Sequence, residues 1–189
     1  MELIVLGLVA GIGIASYALW SRARATDAPP APPELESGDR TVATLQVGDI
    51  VQYLGTDWIV EGCLQLADDS RSVRLYRLVD GNAERFLFVS ANEPDPSLLS
   101  AAPELRLEGS PESLEHAGQA YTLRARATGN AIRSGVVGTR RQNPFGERMG
   151  LVEYAAGALR LVVLHWGDRS DAFLGERVAT HLLELLPSK

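Results

Sequence analysis

The stretch LQVGDIVQYLGTDWIVEG, residues 45–62, carries the clearest pattern in the chain. It holds a Gly-Asp pair, a Trp and a Glu-Gly pair, residue types that serve active sites and sheets alike. Gly48-Asp49 suits a tight turn ahead of a strand, because Gly accepts dihedrals closed to other residues and Asp hydrogen-bonds nearby backbone. Trp58 offers a large apolar body to a small core, and Gly62 marks a β-bulge or the close approach of another backbone. A catalytic reading would need a second titratable group whose environment drives its pKa away from that of Glu61, and the sequence identifies none. The stretch reads as the opening of a β-sheet.

The same pattern continues outward. DWIVEGCLQL (57–66) sets Trp58, Val60, Gly62, Leu64 and Leu66 on one face of a strand by simple alternation. AYTLRARAT (120–128) likewise sets Tyr121, Leu123, Ala125 and Ala127 opposite Thr122, Arg124, Arg126 and Thr128. LRLVVLHW (159–166) is apolar on both faces, as a strand covered on two sides would be. VDGN (79–82) and AAGA (155–158) supply Gly-bearing turns between strand-like runs, and short links of this kind join antiparallel neighbours. The second half echoes the first: QAYTLRA and LVEYAAGALRLVVLHW follow the scheme of DWIVEG and RLYRLVDGNAERFLFV. The expected fold is mainly β: a compact antiparallel body over 44–187, made of two similar units at about 44–108 and 109–187. At its end Val178, Leu182, Leu185 and Leu186 form a helical stripe stopped by Pro187, which predicts a short C-terminal helix, with a final strand over 182–186 as its rival.

Ahead of this body, LIVLGLVAGIGIASYALW (3–20) runs without a charge and as a helix would span roughly 27 Å, enough to cross a bilayer. Tyr17 and Trp20 sit at its C-terminal end and Arg22 and Arg24 follow, so the positive-inside rule predicts a single-pass N-terminal transmembrane helix over 1–20, N-terminus out, with the β domain in the cytoplasm. Ala23-Arg24-Ala25 keeps a cleavable signal peptide open as the rival, although the chain starts Met1-Glu2 with no basic leader. Gly7 and Gly11 have the spacing of a helix-pairing face, against the plain alternative that Gly is common in membrane helices. Residues 21–43 form a Pro/Ala-rich linker, whose stretch 25–40 would reach on the order of 50 Å when extended.

Charge and composition exclude several classes. With 18 basic against 24 acidic side chains the net charge is −6, opposite to a nucleic-acid footprint. Cys63 is the sole cysteine, so neither an intrachain disulfide nor a thiolate metal cluster can form. His116, His165 and His181 have no ligand spacing among them, and the chain has no phosphate loop, dinucleotide fingerprint or nucleophile elbow. No catalytic residue, metal ligand or cofactor is therefore assigned. Cys63 reads as packing rather than as a nucleophile, and His165 as a packed strand residue.

LQVGDIVQYLGTDWIVEG, YRLVDG with RFLFV, EHAGQAYTLR, VEY, LHWGD and LGERV together resemble the bacterial domain of unknown function 4178 family across Leu45 to Pro187. The chain departs from the family pattern at one quoted position, Phe86, where a Trp opens the strand. The resemblance implies a β-rich domain, a setting beside membrane-stress and polyamine-type genes, and no established reaction.

One local anomaly remains. Arg124, Arg126, Arg133, Arg140, Arg141 and Arg148 crowd one stretch of an acidic chain against Glu147 alone. Either they are solvated loop residues balancing acidic faces elsewhere, or Arg133, Arg140, Arg141 and Arg148 contact an anionic lipid surface or an acidic protein partner. The leading functional expectation is a non-enzymatic binding or scaffold module at the cytoplasmic membrane face, linked through the resemblance to membrane stress. The alternative is a small-molecule-binding enzyme using the seam between the two units, with Glu61, Glu153, His165 or Asp168 as acid or base.

Overall fold

The computed structural model describes residues 40–67, 72–107, 109–137 and 145–188. The expected membrane helix at 1–20, nearly all of the linker, and Arg140 and Arg141 lie outside these residues. Among the described residues no helix is long and apolar enough to cross a membrane.

Among the described residues eleven strands follow one another: β1 (Ile50–Tyr53), β2 (Thr56–Ala67), β3 (Ser72–Asp80), β4 (Ala83–Ser90), β5 (Ser97–Ala101), β6 (Ser113–His116), β7 (Gln119–Gly135), β8 (Phe145–Ala156), β9 (Leu159–Trp166), β10 (Arg169–Arg177) and β11 (Leu183–Leu186). Their spatial order is β11-β1-β2-β3-β4-β5-β10-β9-β8-β7-β6, with a further pairing of β2 to β7. That pairing closes β2, β3, β4, β5, β10, β9, β8 and β7 into an eight-stranded antiparallel barrel. The two similar units expected to pack together in one body are instead the two halves of a single closed barrel. Each half contributes a meander with two unpaired edges, and the halves satisfy one another's edges, β5 on β10 and β7 on β2.

Two bulges decide which side chains enter the barrel. Val60 pairs with Leu78 and Gly62 with Arg77, which leaves Glu61 as the extra residue in β2. Trp58 and Val60 consequently pack outside, with Val51, Tyr76 and Leu78, while Leu64 and Leu66 pack inside. In β7 the extra residue is Arg124, and Tyr121 with Leu123 packs outside whereas Ala127 lies inside. The single continuous faces expected for 57–66 and 120–128 are thus each broken in the middle, because one inserted residue inverts every side chain beyond it. Residues 159–166 do face two layers: Val162 and Leu164 fill the interior, and Leu161 and Val163 pack beneath the outer cover.

The seam between β2 and β7 demands glycine on both strands. A Cβ on Gly62 would lie 2.4 Å from the Val136 carbonyl oxygen, and one on Gly135 (φ +66) would lie 2.2 Å from that of Glu61. The amide of Val136 donates to the Glu61 carbonyl at 2.9 Å, so the bulged residue still satisfies its backbone. Before the bulge, the same edge of β2 pairs with β1 through Thr56–Ile59.

Two covers complete the body. On one side β1, β11 and residues 42–45 bury the outer face of β2–β4. On the other, β6 and residues 102–107 cover β7–β10. Asp49 is fully buried and holds the first cover together: its carboxylate accepts from the Gln46 and Ser188 amides, both at 2.8 Å, and lies 3.3 Å from Arg40 Nε. The expected C-terminal helix is replaced by a 3₁₀ turn at Thr180–Leu182 and by β11, in which Leu183 and Leu185 pack inward and Leu186 is exposed. The free edge of β1 draws this segment into a ladder, Ile50 opposite Leu186, and the helical stripe never forms.

Leu54 (φ 49) and Ala117 (φ 50), each followed by a Gly with positive φ, occupy left-handed positions in two-residue hairpin turns, where Asn is the favoured residue. Leu54→Asn is expected to stabilise the protein by about 1 kcal/mol. Gly135→Ala should destabilise it by about 3 kcal/mol, since Cβ would strike backbone at a strained φ. Shifts in urea midpoint at constant slope would check both.

Candidate functional site

The two ends of the barrel differ. At the end bearing the β3–β4 and β9–β10 turns, a cavity of about 580 Å³ opens into the interior. Leu64, Leu75, Phe86, Leu164 and Phe173 form its apolar floor, with Phe86 and Phe173 edge to face at 4.7 Å. Glu84, Arg106, Arg133, Trp166, Asp168, Arg169 and Asp171 form the wall and rim.

Arg133 reaches the cavity because it stands opposite Leu64 in the β2–β7 ladder and two residues beyond the inward-facing Ala131. Only 10% of its side chain is exposed. Its guanidinium lies over the Trp166 ring at 4.3 Å from the centroid, a cation–π contact strengthened by partial desolvation. The Trp166 indole N–H donates to Asp171 Oδ2 at 3.1 Å, which fixes the ring. Arg133 Nη2 lies 3.3 Å from Glu147 Oε2, and its buried Nη1 has no hydrogen-bond acceptor among the described residues. Burial pulls the Arg133 pKa down, and the Glu147 and Asp171 carboxylates oppose that pull. Arg77, which stands opposite Gly62 and Phe86, is better satisfied, since it is bonded to both Glu61 and Glu84.

The opposite end is closed by polar groups. Glu153 faces inward opposite Val162 and is fully buried, with Arg160 Nε 3.7 Å from its carboxylate. Arg160 also donates to the Gly157 and Leu159 carbonyls and lies 3.4 Å from Glu93.

The sequence-predicted residues do not converge. Arg133 turns inward, Arg148 is exposed on β8 beside the buried Met149, and Arg126 pairs with Glu112 at 3.1 Å. Of the four acid or base candidates only Asp168 lines the cavity. Glu61 is held by Arg77 beyond the rim, Glu153 sits at the closed end, and His165 points away from the interior next to Leu164. Sequence reasoning missed Phe86, Trp166, Asp171 and Phe173 as one site. The available signal was LHWGDRSDAF, a hairpin turn flanked at alternate positions by Leu164, Trp166, Asp171 and Phe173.

The family model described as Domain of unknown function (DUF4178) matches residues 46–180. The chain belongs to this family. No curated protein and no solved structure matches it. The DUF4178 span contains all eight barrel strands and the cavity wall, while β11 falls outside it.

Cys63 lies away from this cavity, on the outer face opposite Tyr76. Burial pushes its thiol from 9.0 up to about 11, against the lowering influence of Arg74 and of a hydrogen bond with Tyr76. Its alkylation by iodoacetamide at pH 8 should be slower than that of the unfolded chain by on the order of 100-fold, because the thiolate is the reactive form. The neutral thiol favours the folded state, so this contribution is complete below pH 9.0 and lost as pH rises through about 11. Alkylation rates and urea midpoints across pH 8–11 would check both statements.

Proposed function

We propose that this protein is a non-enzymatic binding module that takes a small molecule into the open mouth of its barrel. The observation that supports this reading most is the cavity of about 580 Å³ at one end of the barrel, with an apolar floor and charged residues at its wall. Eight-stranded barrels have an interior just wide enough to be filled by side chains or to hold one small ligand. Here the closed half is filled and the open half is not. A binding role is favoured over catalysis because, among the described residues, four of the five carboxylates near the mouth are engaged: Glu61 and Glu84 by Arg77, Glu147 by Arg133 and Asp171 by the Trp166 N–H.

A site at the cytoplasmic face of a bacterial inner membrane is proposed on residues 3–20 and their basic flank alone, and the link to membrane stress on the resemblance alone. The contact with anionic lipid or an acidic partner then falls to Arg148 with Arg140 and Arg141, since Arg133 is occupied within the mouth.

Ala101 lines the mouth from β5, so Ala101→Trp fills the cavity. Native mass spectrometry of the wild-type protein after exposure to a cell extract should show a small-molecule adduct that this variant, with an unchanged melting temperature, does not retain. A wild-type protein free of adducts would count against the binding role. For location, alkaline phosphatase fused to the C-terminus should be inactive and a fluorescent protein there should glow; the reverse pattern would refute the cytoplasmic placement.

A further inference from the structure

We infer that the mouth takes a zwitterion, an α-amino acid with an apolar or aromatic side chain, whose carboxylate meets Arg106 and Arg169 and whose ammonium group meets Asp168. The inference rests on the reading of the mouth as a binding site and adds the chemistry of its occupant.

The charged groups that line the cavity fall into two sets. Glu84 is engaged by Arg77, Asp171 by the Trp166 N–H, and Arg133 by Glu147 and the Trp166 ring. Arg106, Asp168 and Arg169 line the same cavity, are exposed, and have no ion pair or side-chain hydrogen bond among the described residues. These three are the charges that an incoming molecule can reach.

Their placement follows from the sheet. Arg169 stands opposite Trp166 in the β9–β10 ladder, and alternation carries its face through Asp171 to Phe173, from rim to floor. Asp168 precedes it in the hairpin turn. Arg106 comes from the segment after β5, which the Ala102 amide ties to the Ala172 carbonyl at 2.8 Å, so it joins the rim on the β10 side.

Two guanidinium groups suit a carboxylate, because hydrogen bonds between ionised partners are the strong ones. With Arg77, Glu61 and Glu147 included, however, this end holds four arginines and five carboxylates, so a plain anion finds donors at the rim without a positive excess around them. A molecule that also carries an ammonium group uses Asp168 and adds no net charge. An α-amino acid bears both charges on one carbon, and Asp168 and Arg169 are consecutive residues. Beneath them the floor is apolar and includes the Phe86–Phe173 pair, which favours an aromatic or aliphatic side chain over a sugar. A cavity of about 580 Å³ falls within the range of pockets that hold such ligands.

The test uses the full-length chain in an uncharged detergent and three probes with one naphthalene body: naphthylalanine, naphthylpropanoate, which lacks the ammonium group, and naphthylethylamine, which lacks the carboxylate. Each is followed by isothermal titration. Naphthylalanine should bind about fivefold more tightly than the acid and about tenfold more tightly than the amine. Arg106→Gln and Arg169→Gln should each weaken naphthylalanine and the acid by about threefold without weakening the amine. Asp168→Asn should weaken naphthylalanine and the amine by about threefold and strengthen the acid, a crossed pattern that a merely structural role would not produce. Arg148→Gln should behave as wild type. Equal binding of the three probes, or affinities unmoved by the three rim variants, overturns the assignment of the rim charges while leaving the mouth as a site. An acid that outbinds naphthylalanine overturns the role of Asp168, and an amine that outbinds it overturns that of the arginines. Failure of all three probes to bind, or their retention by Ala101→Trp, overturns the reading of the mouth on which the inference rests.

Discussion

Closure of the barrel between β2 and β7 is the constraint on which the rest depends. Without it, β2 beyond the bulge and β7 would each present an unpaired edge, and the interior cluster would be open along one side. Closure requires the two backbones to approach more closely than side chains allow, and Gly62 and Gly135 meet that requirement from opposite strands. The Glu61 bulge sits at the same place. It ends the pairing with β1, turns the strand inward, and leaves Glu61 beside Arg77 at the rim. One local irregularity thus sets the pairing, the interior face and part of the mouth.

Once closed, the barrel is asymmetric along its axis. Arg160, Glu153 and Glu93 share one end, where charges removed from water are tolerated because each lies close to an opposite charge and Arg160 also reaches backbone carbonyls. At the other end the inward positions are large and apolar at depth and charged at the wall, and their side chains do not meet across the axis. The same alternation that fills one half leaves the other half hollow. Arg133 gains its position from strand register alone, as the first charged inward residue above Ala127 and Ala131.

Much of the sheet was legible. The turns at 79–82 and 155–158, the doubly covered strand at 159–166 and the special status of Gly62 all follow from local chemistry, and the structure has each of them. The faces of β2 and β7 were not legible, because apolar residues continue to alternate across both bulges and the pattern carries no mark of the inversion. The C-terminal segment was misread for a related reason: three leucines and a valine fit a helical stripe as well as a strand, and the choice was made by an edge more than a hundred residues earlier. Arg133 read as a loop residue because it belongs to an arginine-rich stretch, whereas its partners Trp166 and Leu64 come from strands remote in sequence. Non-local pairing is what local pattern cannot express.

The tie between Asp49 and Ser188 has a consequence for how the chain is made. Those residues are 139 apart, and β1, the first of the described strands to be made, finds its outer partner only in β11, the last of them. At about 5–20 residues per second, β1 would wait roughly 7–28 s with that edge uncovered. The meander of β2, β3 and β4 can assemble meanwhile through neighbouring hairpins, but the first outer cover stays incomplete until β11 has been made. The nascent chain thus passes through a stage with an open, apolar-flanked strand edge, and a truncation that removes β11 would make that stage permanent.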